Sequence, residues 1–213
     1  MLNSHIIVVT IGKVYKGVII YYTYMACVEK TLEGMLAELG NPSKIKSDMV
    51  TPFSYYGEEP GKVFQEHGEF YWLRQYETEL TKFLQTLALP IDLRFSPDTD
   101  SPVQSALENA YVHATGDGGK TGNMKSPINV DIFLGDEGIV FTVTDTGKGF
   151  DLRQVVMKKR RGERYFNACR GNGIVVYDQQ MNTQGRVPYE VSNEGSRINI
   201  LYKFQPEQSP LSR

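Results

Sequence analysis

Apolar residues recur at the spacing of one helix face through residues 70–87, at Leu73, Tyr76, Leu80, Phe83, Leu84 and Leu87, and Pro90 stops that helix. A second helix has a legible start. Ser101 suits the N-cap, Pro102 the first helical position and Gln104 the return partner of a capping box, so a helix is expected from there to about Ala114. Residues 128–134 and 139–144 then alternate or run apolar, and Gly135-Asp136-Glu137-Gly138 joins them as a hairpin. A helix over 172–182 and strands near 187–191 and 197–204 follow. At the other end, residues 5–11 and 14–24 are rich in Val, Ile and Tyr and read as buried strands, leading into a helix over 25–39 that Gly40 and Pro42 end. Residues 40–62 contain Pro42, Pro52, Gly57, Pro60 and Gly61 and read as a loop. They divide an N-terminal extension (1–62) from a main domain (63–205), with a polar tail at 206–213. Mixed elements with hairpin-linked late strands predict an α/β two-layer sandwich, with helices on one face of a mixed sheet.

Composition narrows the class. The chain has 213 residues, 40% hydrophobic and 23% charged, an ordinary globular balance. A formal net charge of −2 gives no ground for a nucleic-acid partner. Cys27 and Cys169 are too few for a disulfide framework, and a reducing cytoplasm is the simpler setting. Residues 5–28 are apolar enough to suggest a membrane segment. Gly12, Lys13, Lys16 and Gly17 interrupt them, and no basic residue precedes them as a signal peptide requires, so the expectation is a soluble protein without a membrane partner.

One motif is a decoy. Residues 114–121, ATGDGGKT, fit a relaxed phosphate-loop pattern, but that motif needs a strand before it and a helix after it. Here a capped helix precedes it and TGNMKSP follows, so the stretch reads as a flexible glycine-rich connection.

Three other motifs stand in a fixed order: Leu107-Glu108-Asn109-Ala110-Tyr111-Val112-His113-Ala114 on the capped helix, Asp145-Thr146-Gly147-Lys148-Gly149-Phe150 after a buried strand, and Arg170-Gly171-Asn172-Gly173-Ile174 opening a helix, with Gly195-Ser196 before the last strand. The order resembles the asparagine box and glycine boxes of the GHKL ATPases, the family of gyrase, the heat-shock chaperones, the histidine kinases and the MutL proteins. The likeness covers roughly residues 65–204 and implies a Bergerat-type ATP-binding fold with ATP and Mg²⁺ as ligands.

Each residue type suits its task. Asp145 offers an acceptor to the exocyclic amine of adenine, where guanine presents a carbonyl; alone, it would also fit a plain Asp-Gly turn. Gly147 and Gly149 let the backbone approach the base. Asn109 carries a neutral oxygen suited to Mg²⁺, although a lone helical Asn is as readily a polar surface residue. Gly171 and Gly173 would present N–H groups to phosphate at a helix start, with Arg170 beside them as a phosphate contact and Ser196 completing the nucleotide set. His113 shares the face of Asn109 and faces the pocket rim, as a structural or a catalytic residue. No Cys/His cluster suggests zinc.

Among the GHKL branches, the sequence looks most like the small anti-sigma factors that are also serine kinases, whose motif Asn-Ala-x-x-His matches NAYVHA at 109–114. That likeness implies a cytoplasmic signal-transduction role with a protein partner, a sigma factor or an anti-sigma antagonist, and leaves a homodimer open. It also places a mobile ATP lid at 151–170, a segment with seven basic residues against Asp151 and Glu163. One position departs from the pattern. The branch carries a general-base Glu four residues before the Asn, and here that position is Ser105. Glu108 lies about 100° around the helix from Asn109 and cannot simply replace it. A regulator with weak or absent kinase activity is one expectation. The alternative is a detached catalytic domain that phosphorylates a histidine on another protein, because an imidazole nucleophile needs no carboxylate base. A scaffold that keeps the fold without binding nucleotide is a third.

Overall fold

The computed structural model describes residues 9–15, 18–24, 28–93, 95, 101–113, 125–160 and 189–204. Strands β1 (Val9–Tyr15) and β2 (Val18–Tyr24) form an antiparallel two-stranded sheet of their own. Gly12 and Lys13 lie inside β1 rather than between the strands, because pairing two full seven-residue strands outweighs the weak strand propensity of one glycine.

Among the described residues, the helix expected over 25–39 forms only as α1 (Leu32–Ala37), capped by Thr31, whose Oγ1 accepts from the Gly34 N–H at 3.1 Å. Ahead of it, the Val28 N–H donates to the Val191 carbonyl at 2.8 Å instead of to a helical partner. The expected loop at 40–62 holds three elements: β3 (Ser43–Val50), a 3-10 turn (Pro52–Tyr56) and α2 (Pro60–His67). Strand β3 escaped notice because Lys44, Lys46 and Asp48 break its apolar pattern, which is how an edge strand discourages further pairing.

Then follow α3 (Tyr71–Thr86), α4 (Pro102–His113), β4 (Ile128–Gly135), β5 (Gly138–Thr144), α5 (Leu152–Arg160), β6 (Tyr189–Glu194) and β7 (Arg197–Lys203). The larger sheet has the order β3-β4-β5-β7-β6. Every pairing in it is antiparallel, so the mixed sheet expected from the sequence is not what forms among the described residues. Two of its four pairings are set locally, by the turns at residues 136–137 and 195–196. Residues read as extension and as main domain share this sheet, because β3 pairs with β4 from Ser43 against Leu134 to Val50 against Ile128.

One sheet face buries Val130, Ile132, Phe141, Val143, Ile198 and Ile200 against α3 and α4, which contribute Trp72, Leu73, Leu80, Leu107 and Tyr111. The other face is covered too. Met35 and Leu39 pack on Val140 and Leu201, so helices lie on both faces rather than on one. Period-2 alternation along β5 and β7 delivers Val140 and Leu201 to that side. Lys30 pins the segment there, paired with Glu190 at 2.5 Å and Glu38 at 2.6 Å, while Lys203 pairs with Glu38.

Candidate functional site

Helix α4 begins as its sequence dictates: the Gln104 N–H donates to Ser101 Oγ at 3.0 Å. The return half of the capping box is not made, and Gln104 Oε1 is buried without a hydrogen-bond partner. Leu107, Ala110 and Tyr111 anchor the helix in the core. That leaves Asn109 half-buried and His113 exposed on the last turn. Ser105, one turn before Asn109, is only 4% exposed.

Strand β5 is buried from Gly138 to Val143 and delivers Asp145 just past its end. Two backbone bonds dock the following turn on the β6–β7 hairpin: the Asp145 N–H donates to the Ser196 carbonyl at 3.2 Å and the Phe150 N–H to the Gly195 carbonyl at 3.3 Å. Gly149 adopts φ +72°, and a Cβ there would overlap the Gly195 and Ser196 backbone. The glycine is therefore required twice, by its conformation and by close approach. Asp145 Oδ1 accepts the Gly147 N–H at 2.6 Å. Its other carboxylate oxygen is a second hydrogen-bond acceptor at the end of β5. Burial holds the Asp145 carboxyl above the ordinary Asp range, opposed by the Gly147 N–H and by the charge of His113.

Asp145, Gly147, Gly149 and Ser196 thus share one turn-on-hairpin unit, with His113 within electrostatic reach of Asp145. Asn109 lies one helical turn before His113 on α4. Arg170, Gly171 and Gly173 lie outside the described residues, as do the glycine-rich stretch at 114–121 and the helix expected at 172–182. Of the lid segment, residues 152–160 form helix α5 rather than an irregular loop, and Arg153 pairs with Glu29.

The Asp145 carboxylate is an acceptor of the kind that an amine-bearing ligand such as adenine would need. One neutral amide oxygen from Asn109 could hold Mg²⁺ only with phosphate oxygens and water as the remaining ligands, which is how Mg²⁺ is commonly bound beside a nucleotide. Among the described residues no group of three or more His, Cys, Asp or Glu side chains could hold a metal by itself.

Two residues escaped the sequence reading. Asn193 links the turn to its hairpin: its Nδ2 donates to the Phe150 carbonyl, and its Oδ1 accepts the Leu152 N–H at 3.1 Å. No local pattern betrays a partner more than forty positions away. Glu77 is 4% exposed and its Oε1 has no hydrogen-bond partner. Burial, and then the charge of Glu108, push its carboxyl up to about 7. Here a signal existed, since Glu77 falls between Leu73 and Leu80 on the apolar stripe of α3.

Comparisons with protein-family models, curated proteins and solved structures return no match. No helix among the described residues is long and apolar enough to cross a membrane.

Proposed function

We propose that this chain is an ATP- and Mg²⁺-binding regulator of the GHKL type with a Bergerat-type fold, closest in character to the anti-sigma factors. The observation that carries the reading is convergence. The Asp145 turn, the Gly195-Ser196 hairpin and the end of the Asn109 helix come together, although they are far apart in sequence. The Asp145 carboxylate accepts the adenine amine, Gly147 and Gly149 admit the base, and Asn109 holds Mg²⁺ against the phosphates. Arg170, Gly171 and Gly173 supply phosphate contacts. Its partner is a protein of the sigma-factor or anti-sigma-antagonist kind, held or released according to the bound nucleotide.

Ser105 bears on turnover. A hydroxyl cannot accept a proton near neutral pH, so Ser105 cannot serve as the base for serine phosphorylation. The same buried Ser105 favours the second reading, phosphorylation of a histidine on a separate protein, because imidazole attacks without such a base. Calorimetric titration with ATP, ADP and GTP, with and without Mg²⁺, tests the binding. ATP and ADP should bind and GTP should not. Equal affinity for GTP, or no nucleotide binding, would refute the reading. Phosphotransfer to protein separates the two branches, since phosphohistidine is lost in acid and phosphoserine is not.

A further inference from the structure

We infer that Asn193 is a positioning residue for the base-binding turn, setting nucleotide affinity from behind it; the inference rests on the ATP-binding reading above. The turn docks on the β6–β7 hairpin partly through Asp145 N–H to Ser196 and Phe150 N–H to Gly195, bonds made by backbone atoms alone. Asn193 adds a side-chain clamp. Its Nδ2 donates to the Phe150 carbonyl and, at 3.3 Å, to the Gly195 carbonyl, while its Oδ1 accepts the Leu152 N–H. One amide therefore grips the chain where the turn ends and α5 begins, with its NH₂ as donor on one side and its carbonyl oxygen as acceptor on the other. Gly149 lies against Gly195 without room for a methyl group, so a small displacement of the turn from the hairpin shifts Asp145 and the backbone that meets the base. Glu194 ties the same hairpin to the first residue of α1, accepting the Leu32 N–H at 2.9 Å, and also accepts Asn199 Nδ2 from β7 at 3.0 Å. The hairpin is thus a fixed anvil, and Asn193 is the clamp that holds the turn on it.

Two substitutions separate positioning from general support. Asn193→Asp keeps the acceptor for Leu152 at the start of α5, where a carboxylate is favoured, but sets a second oxygen against the carbonyls of Phe150 and Gly195. Asn193→Ala loses both halves and repels nothing. Thermal stability should fall in the order Asn, Asp, Ala. Affinity for ATP and for adenosine should fall in the order Asn, Ala, Asp, with Asn193→Asp weaker than wild type by about tenfold. The Phe150 amide should also exchange with deuterium faster in Asn193→Asp than in wild type. The same rank order in stability and in affinity, or unaltered binding by Asn193→Asp, overturns the inference. Wild-type protein that binds neither ATP nor adenosine refutes the nucleotide reading instead. Phe150 exchange then still decides the clamp, because unchanged exchange in Asn193→Asp would remove it.

Discussion

Replacing Glu77 by Gln should stabilise the protein at pH 8 and leave it nearly unchanged at pH 4.5. The unfolded chain releases the Glu77 proton near 4.5, whereas the folded protein holds it until about 7, because ionising a carboxyl that is 4% exposed, near Glu108, is unfavourable. Below 4.5 both states are protonated, and the side chain imposes no ionisation cost on folding. As pH rises from 4.5 to about 7, the unfolded state gains from ionising while the folded state does not, so stability falls; above about 7 the loss levels off. That interval corresponds to roughly 3 kcal/mol. Gln matches Glu in shape and carries no titratable proton, so the variant escapes the loss. Urea unfolding of both proteins across pH 4.5 to 8, at equal m-values, reads the difference directly. A gain that grows to about 3 kcal/mol above neutrality fits the burial. A difference independent of pH, or a variant less stable than wild type at pH 8, would show that Glu77 is hydrated or paired when ionised.

Further substitutions probe the site. Gly149→Ala should destabilise by about 3 kcal/mol or more, since the methyl group meets the Gly195 backbone and φ is +72°; a thermal midpoint equal to wild type would contradict the close packing. Asn109→Ala should weaken ATP binding in Mg²⁺ by about tenfold and little in chelator, and an equal loss under both conditions would make Asn109 structural. Wild-type protein should hydrolyse ATP at or near background, and Ser105→Glu should raise the rate where Ser105→Gln does not. Because Ser105 is buried, that gain also requires the variant to remain folded under the assay conditions, which circular dichroism checks. Brisk hydrolysis by the wild type would mean that another carboxylate supplies the base.

What the sequence made legible was local. The α3 stripe, the Ser101 N-cap and the hairpin at residues 136–137 each declare themselves within one element, and each forms where expected. What it hid was non-local or masked by charge. Strand β3 looks like loop because Lys44 and Lys46 line an outer edge, one over the Phe133 ring and the other over the Phe83 ring. Helix α1 is shorter than its sequence predicts, and ahead of it the Val28 N–H bonds to Val191, on a strand more than 160 positions away. An antiparallel sheet in place of a mixed one follows from the same blindness, since the pairing of β5 with β7 joins segments separated by more than fifty residues. In the candidate site the Asp145–Phe150 turn was legible as a turn, from its glycines after a buried strand. Its clamp Asn193 became visible only when the turn and the β6–β7 hairpin were placed together, whereas the position of Glu77 on the apolar stripe of α3 was a signal already present in the sequence.

The central claim is that Asp145 recognises an adenine amine, and titrating wild type and Asp145→Asn with ATP side by side tests it most directly. Asn at 145 can still accept the Gly147 N–H through its Oδ1, so the turn and the thermal midpoint should persist. The other atom changes from acceptor to donor and meets the adenine amine as donor against donor. Loss of that buried bond costs about 1–3 kcal/mol, at least several-fold in affinity and up to a hundredfold. The prediction is measurable ATP binding by wild type, and binding by Asp145→Asn that is weaker by about fivefold or more with the fold intact. Equal ATP affinity in the two proteins would contradict it.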